Sequence, residues 1–231
     1  MKIAEIFTSI QGEGKLVGMP SVFVRTSGCN LRCTWCDTPY ASWRPEGEDL
    51  TVEAIMVAVL NSGMRHVVLT GGEPMLQPQL PQLIDQLKSH GLHITVETAG
   101  TLWQDVEIDL ASISPKLANS RPPTDTPGQW AVLHETRRLD WTVLKRWASS
   151  PLIHDRQWKF VISQPDDLAE IQAVVERIGG LSPEDIILMP EGVTEDDIKA
   201  KGQWLSKMCQ NKNYRFGTRL HIWIYGNRRG T

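Results

Sequence analysis

Apolar runs of strand length alternate with amphipathic stretches of helical period along most of the chain, and this alternation constrains the fold more than any single residue does. The strand-like runs are "PSVFVRTSG" (20–28), "RHVVLTGGEP" (65–74), "LHITVETAG" (92–100), "VEIDLASISPK" (106–116), "RQWKFVIS" (156–163) and "DIILMPEG" (185–192). Between them lie the helical patterns "TVEAIMVAVLNSG" (51–63), "QLPQLIDQLKSHG" (79–91), "DWTVLKRWASS" (140–150) and "PDDLAEIQAVVERIGG" (165–180), the first closed by Gly63. A helix from about Thr194 and a strand "TRLHIWIY" (218–225) are expected to close the chain, and the Pro- and Thr-rich stretch 118–136 reads as a loop or insertion. Repeated strand–helix units imply a parallel sheet with helices outside it. About six units are too few for the eight of a closed barrel. The expected fold is therefore α/β, a partial (β/α)6-type parallel barrel forming one domain over residues 1–231.

Composition removes several functional classes. Hydrophobic residues make up 41% and charged residues 22%, the proportions of a folded globular chain, and no apolar run reaches the length of a membrane span. A net charge of −3 gives no overall attraction to phosphate backbones, so general nucleic-acid binding is not expected. The N-terminus "MKIAEIFTSIQGEG" lacks the apolar core of a secretory signal, so a cytoplasmic location is expected.

In a reducing compartment clustered cysteines are read as metal or redox ligands rather than disulfides. Of four cysteines, three fall in "CNLRCTWC", at Cys29, Cys33 and Cys36. A structural zinc site ordinarily needs a second ligand pair. The remaining Cys209, in "QWLSKMCQNKNY", reads as a small buried hydrophobe at the end of a helix. Three thiolates on a 4Fe-4S cluster leave one iron open to a substrate or cofactor. The spacing C-x-x-x-C-x-x-C resembles that of the radical S-adenosylmethionine enzymes, whose cofactor chelates the open iron and is cleaved by one electron to a 5′-deoxyadenosyl radical. In that resemblance the strand beginning at Pro20 leads into a cluster-binding loop, and Trp35 packs near the adenine.

In a parallel barrel the chemistry collects at the C-terminal ends of the strands. Here those ends carry mostly small and polar residues: Thr70-Gly71-Gly72-Glu73, Glu97-Thr98, Ser114-Pro115-Lys116 and Ser163-Gln164. Two consecutive glycines allow backbone to approach a ligand closely.

The segment "EIFTSIQGEGKLVGMPSVFVRTSGCNLRCTWCDT" closely resembles the 7-carboxy-7-deazaguanine synthase family, and "VLTGGEP", "TVETAGT", "SISPK" and "HIWIYGNRRGT" extend the resemblance over nearly the whole chain. It implies a carbon–nitrogen lyase that converts 6-carboxy-5,6,7,8-tetrahydropterin to 7-carboxy-7-deazaguanine with loss of ammonia, on the path to queuosine. Carried residue by residue, Ile10, Gln11, Gly12, Glu13, Arg25, Thr70 and Thr231 would bind the pterin. Trp35, Gly72, Glu73, Glu97, Ser114, Pro115 and Lys116 would bind S-adenosylmethionine. Cys29, Cys33 and Cys36 would hold the 4Fe-4S cluster, and Thr38 a Mg²⁺ ion. An electron donor such as flavodoxin and a homodimeric working unit are also implied. Where some members end in a "QTHK"-like strand, this chain has Trp223, Tyr225 and "GNRRGT", with His221 as a substitute, and Met189 stands where those members have glutamine. Two other readings stay open at this point: a radical activase acting on a partner protein, which leaves "QGEG" and "CDT" without a purpose, and a non-catalytic zinc module.

Overall fold

The computed structural model describes all residues from Met1 to Thr231. The strands β1 (Lys2–Ile10), β2 (Pro20–Thr26), β3 (Glu48–Asp49), β4 (His66–Gly71), β5 (His93–Thr98), β6 (Ile108–Ile113), β7 (Ile153–Ile162), β8 (Ile186–Pro190) and β9 (Arg215–Phe216) form a single sheet in the order β3-β1-β2-β4-β5-β6-β7-β8-β9. From β2 through β9 every neighbouring pair is parallel, whereas β1 pairs antiparallel with both β2 and β3. The full-length parallel strands are β2, β4, β5, β6, β7 and β8, so the fold is the expected six-unit α/β sheet with an antiparallel flap on its first edge.

Helices α1 (Val52–Asn61), α2 (Leu80–Ser89), α3 (Trp130–Arg137), α4 (Trp141–Ser149), α5 (Asp167–Ile178), α6 (Glu195–Lys212) and α7 (Leu220–Tyr225) occupy the connections and the end of the chain. Local chemistry starts several of them: the Thr51 hydroxyl accepts from Ala54 N at 3.2 Å, Asp140 accepts from Thr142 N at 3.0 Å, and Thr194 accepts from Asp197 N at 3.2 Å.

Period-two alternation sorts the strand residues. Val22 and Val24, Val67 and Leu69, Ile94 and Val96, Trp158 and Phe160 all join one buried apolar cluster with helix residues such as Leu83, Leu144 and Ile171. The alternate positions Arg25, Thr70, Glu97, Ser112 and Lys159 face the other way, into a shared cavity. A strand buried on both faces ordinarily carries apolar residues on both. Polar residues on the inner face therefore mark a site rather than a core.

The sheet curls. Strands β1 and β7 are separated in the sheet by β2, β4, β5 and β6, at about 4.8 Å per step. Nevertheless Lys15, just past β1, donates its backbone N–H to Gln157 Oε1 at 2.7 Å, and its ammonium reaches Asp155 on β7 at 2.7 Å. Only a curved sheet brings these strands together, as a partial barrel requires.

Three local expectations are corrected. The run 218–225, rich in strand formers, contains helix α7: Leu220 N bonds Gly12 O at 2.9 Å, and no long strand stands beyond β8 to pair with it, so tertiary docking overrides propensity. The stretch 118–136 is not all loop, because Trp130–Arg137 is helical, with Trp130 stacked under the Arg32 guanidinium at 3.8 Å and His134 wholly buried. The first strand is Lys2–Ile10 rather than the run at 20–28; its charged and hydroxyl residues conceal it, since β3 pairs only with Lys2 and Ile3 and the rest of β1 is paired on one side alone, where no continuous apolar run is needed.

Candidate active site

At the C-terminal ends of the parallel strands lies a cavity of about 510 Å³. The loop after β1, the inner faces of β2, β4, β5, β6 and β7, the cysteine loop and the C-terminal tail all contribute to it.

The cysteine loop follows β2 directly. Cys29, Cys33 and Cys36 line the cavity, whereas Cys209 sits in the last turns of α6 within the apolar core, its thiol 3.7 Å from Arg215 O. Burial pushes the thiols of Cys29 and Cys33 up to about 12, and the Glu73 carboxylate adds to the effect on Cys29. These sulfurs become thiolates only with a bound cation to offset the cost. No three His, Cys, Asp or Glu side chains converge closely enough for one metal ion. A four-iron cluster, which gives each thiolate its own iron, makes no such demand, and the donor set fits it. The loop is braced from outside: Arg32 donates to Cys29 O at 2.8 Å and Leu31 O at 2.7 Å, and its backbone N–H donates to His134 Nδ1 at 3.2 Å. Trp35 lines the cavity with its indole N–H bonded to Asn119 O at 3.0 Å, and the Lys116 ammonium, bonded to Ser114 Oγ at 2.8 Å, lies 5.5 Å from its ring centre.

The glycine pair at the end of β4 works mainly on the protein's own backbone. A Cβ on Gly72 would meet Gly28 O at 2.1 Å and Ala41 O at 2.5 Å, and one on Gly71 would meet Thr26 O at 2.1 Å. Gly72 N donates to Thr26 O at 3.1 Å and Glu73 N to Gly28 O at 2.9 Å, so this turn is stitched to the start of the cysteine loop. Gly72 also reaches the cavity.

Two of the expected ligand-binding residues stand apart. Glu73 is fully buried and does not line the cavity; its carboxylate accepts from Thr98 Oγ1 at 2.8 Å, Ala99 N at 2.9 Å and Met75 N at 3.1 Å. Burial raises its pKa against those hydrogen bonds. It holds the β4 and β5 turns together, so its carboxylate is engaged by the protein itself and faces away from the cavity. Pro115 also lies outside the lining, whereas its neighbours Ser114 and Lys116 are part of it.

The remaining sequence-derived residues share the cavity: Ile10, Gln11, Gly12, Glu13, Arg25, Thr38, Thr70, Glu97 and Thr231. Gln11 Nε2 donates to Glu97 Oε1 at 3.2 Å and Thr70 Oγ1 to Glu97 Oε2 at 3.0 Å. Thr38 Oγ1 is 3.8 Å from the Cys36 sulfur. Arg25, which the resemblance assigns to the pterin, does not depend on a ligand for an acceptor. It has an internal one, since its Nε donates to Glu5 Oε1 at 2.7 Å across the β1–β2 pair, while its terminal nitrogens make no hydrogen bond to the protein.

Sequence reasoning missed Lys159, Asp37 and Arg219. Lys159, 5% exposed, projects inward from β7 onto Glu13 and stands 3.9 Å from Glu97. It had a signal: a lysine between Trp158 and Phe160 on an apolar strand must face away from the helices. Asp37 lies in the quoted "CDT", but nothing local names its partner. Arg219 has no local signal either; it bonds Glu13 Oε1 at 3.0 Å, the Asp37 carboxylate and Gly192 O. Burial opposes ionisation of Glu13, but the charges of Lys159, Arg219 and His221 outweigh it and hold the carboxyl well below its ordinary range. Asp37 is likewise lowered, with Arg219 overcoming its burial. Burial lowers His221, whose ring fills the space a Cβ on Gly12 would take. The result is a buried, charge-matched floor beside the cysteine loop, able to bind a ligand with both donors and acceptors along one edge.

Residues 23–115 match the Radical SAM superfamily. Over 229 residues the chain is 45% identical to a 7-carboxy-7-deazaguanine synthase of Rhodopirellula baltica, covering 99% of this chain and 88% of the relative. A 7-carboxy-7-deazaguanine synthase of Halobacterium salinarum is 43% identical, with 98% and 91% covered. In fold the chain is similar to the crystal structure of QueE from Escherichia coli, with a TM-score of 0.68 at 23% identity over 95% of this chain and 94% of that one.

Proposed function

The chain belongs to the 7-carboxy-7-deazaguanine synthase family within the radical S-adenosylmethionine enzymes, and from that premise we propose that it converts 6-carboxy-5,6,7,8-tetrahydropterin to 7-carboxy-7-deazaguanine with release of ammonia. The observation that carries this reading is that the "QGEG" loop, the polar strand ends and the three cysteines open into one cavity. A radical activase would need the cysteine loop but not a charge-matched floor built on Glu13.

Cys29, Cys33 and Cys36 would hold the 4Fe-4S cluster, and Gly72, Ser114, Lys116 and Trp35 would hold S-adenosylmethionine beside it. When bound, this pair supplies the one-electron cleavage that yields a hydrogen-abstracting radical. The protein's own residues position the substrate. Glu13 Oε1 and Oε2 each accept from one protein cation, Arg219 and Lys159, and each keeps a lone pair for an N–H on a guanine-like edge. The Gln11 amide is held in place, because its Oε1 accepts from Glu13 N at 3.1 Å and its Nε2 is bonded to Glu97. The free terminal nitrogens of Arg25 suit the substrate carboxylate. The Thr38 hydroxyl would contribute to a Mg²⁺ ion that takes few protein ligands and retains several waters. The same reading includes an electron donor such as flavodoxin, a homodimeric working unit, a cytoplasmic location and one domain over residues 1–231.

Anaerobic reconstitution tests the reading. With substrate, S-adenosylmethionine, reductant and Mg²⁺, the protein should release 7-carboxy-7-deazaguanine and ammonia in equal amounts. Cofactor cleavage without that product would overturn the substrate assignment. Thr38→Ala should lower the rate while leaving the cluster spectrum unchanged, and full activity of that variant at every Mg²⁺ concentration would remove Thr38 from the metal site.

A further inference from the structure

Between β8 and the loop after β1 the curled sheet has no full-length strand, and the segment from Gly217 to His221 fills that side. Gly217 N bonds Leu188 O at 2.8 Å, and Leu220 N bonds Gly12 O at 2.9 Å. Arg219 stands between these anchors with 7% of its surface exposed, and its three guanidinium nitrogens are directed at three separate parts of the site. Nε donates to Glu13 at 3.0 Å, another nitrogen donates to Gly192 O after β8, and the third donates to Asp37, which lies between Cys36 and Thr38.

We infer that Arg219 is a positioning residue for the substrate: a clamp that holds the Glu13 carboxylate and the Asp37–Thr38 turn in one register across the open side of the barrel. The inference rests on the pterin reading above and adds a role for a residue outside the cysteine loop and the strand ends. The planar fork is what the geometry uses, because three divergent acceptors cannot be met along the same directions by an ammonium. Lysine at this position would keep the charge and lose the register. Glutamine would lose both, leaving Lys159 as the one cation hydrogen-bonded to Glu13.

The test uses reconstituted holoenzyme with Arg219→Gln, Arg219→Lys and Asp37→Asn. Readouts are dissociation constants for the carboxytetrahydropterin and for S-adenosylmethionine, iron content, the electron paramagnetic resonance signal of the reduced cluster, and cofactor cleavage without substrate. Arg219→Gln should weaken pterin binding by roughly 10–100-fold, the scale of loss seen when the supporting partner of a metal ligand is removed, applied here to the ligand-facing Glu13 carboxylate. Iron, spectrum and S-adenosylmethionine affinity should stay at wild-type values. Arg219→Lys should recover part of the loss, and Asp37→Asn should raise KM with a smaller change in kcat. Unchanged pterin affinity in Arg219→Gln and Arg219→Lys would overturn the clamp. So would a parallel fall of iron, cofactor affinity and pterin affinity in all three variants, which would make Arg219 a general strut. A wild-type protein that neither binds nor converts the pterin would instead overturn the substrate reading and the clamp with it.

Discussion

The Arg219 guanidinium meets the Glu13 carboxylate at 3.0 Å although 206 positions separate them. With Lys159 on the second oxygen, Glu13 is the shared anion of two buried cations. Removing one partner of such a set costs about 3–5 kcal/mol, because a buried charge is left uncompensated. Glu13→Gln should therefore destabilise the protein on that scale at about pH 7, as read from urea unfolding. The pH dependence has a definite sign. The folded pKa lies below the ordinary 4.5, so the contribution is complete above pH 4.5 and is withdrawn as pH falls below it. The difference between wild type and Glu13→Gln should narrow only in that acid range, and a difference that narrows above it would contradict the assignment.

Arg25 and Glu5 separate two roles for one arginine. Glu5 also accepts from Tyr40 Oη at 2.7 Å, so it keeps a partner when Arg25 is removed. If the terminal nitrogens of Arg25 meet the substrate, Arg25→Ala should weaken pterin binding far more than S-adenosylmethionine binding, and Glu5→Gln should do so only slightly. Equal effects of the two substitutions on both affinities would reduce Arg25 to half of an ion pair.

His134 predicts acid lability near the cysteine loop. Its Nδ1 accepts from Arg32 N, so its proton resides on Nε2, which faces Ser120 Oγ at 2.9 Å. Burial, aided by Arg138, pushes its pKa down from 6.5 to about 4. The neutral form is the folded one; its contribution is present above pH 6.5 and lost as pH falls toward 4. Across that window the loss should reach roughly 3 kcal/mol. Melting temperatures across this range should fall for the wild type and flatten for His134→Gln. Parallel curves would show that another group titrates there.

Cys209 should be dispensable for the cluster. It packs among core residues while the other three cysteines line the cavity. Cys209→Ala should keep about four irons per chain, whereas alanine at Cys29, Cys33 or Cys36 should lose them. Iron loss from the Cys209 variant, with its fold intact by circular dichroism, would assign it to the metal.

Much of the architecture is legible in the chain. The alternation of strand and helix periods determines a parallel sheet wrapped by helices, because those periods state which face of each element is apolar. The same period-two pattern turns Arg25, Thr70, Glu97 and Lys159 toward one another, and the spacing of Cys29, Cys33 and Cys36 is local enough to carry the resemblance to the radical S-adenosylmethionine enzymes. Tertiary structure alone decided the partners. Glu73 reads like a cofactor residue, yet it is buried under Thr98 and Ala99. Arg25 reads as a pterin ligand, yet it already holds Glu5. The strand-forming run after Thr218 becomes α7 because its docking place lies on Gly12. Arg219 carries no mark at all in its own neighbourhood. A periodic pattern reports the burial of a face, but which acceptor meets a given donor depends on how the curled sheet brings distant segments together, and no local pattern records that.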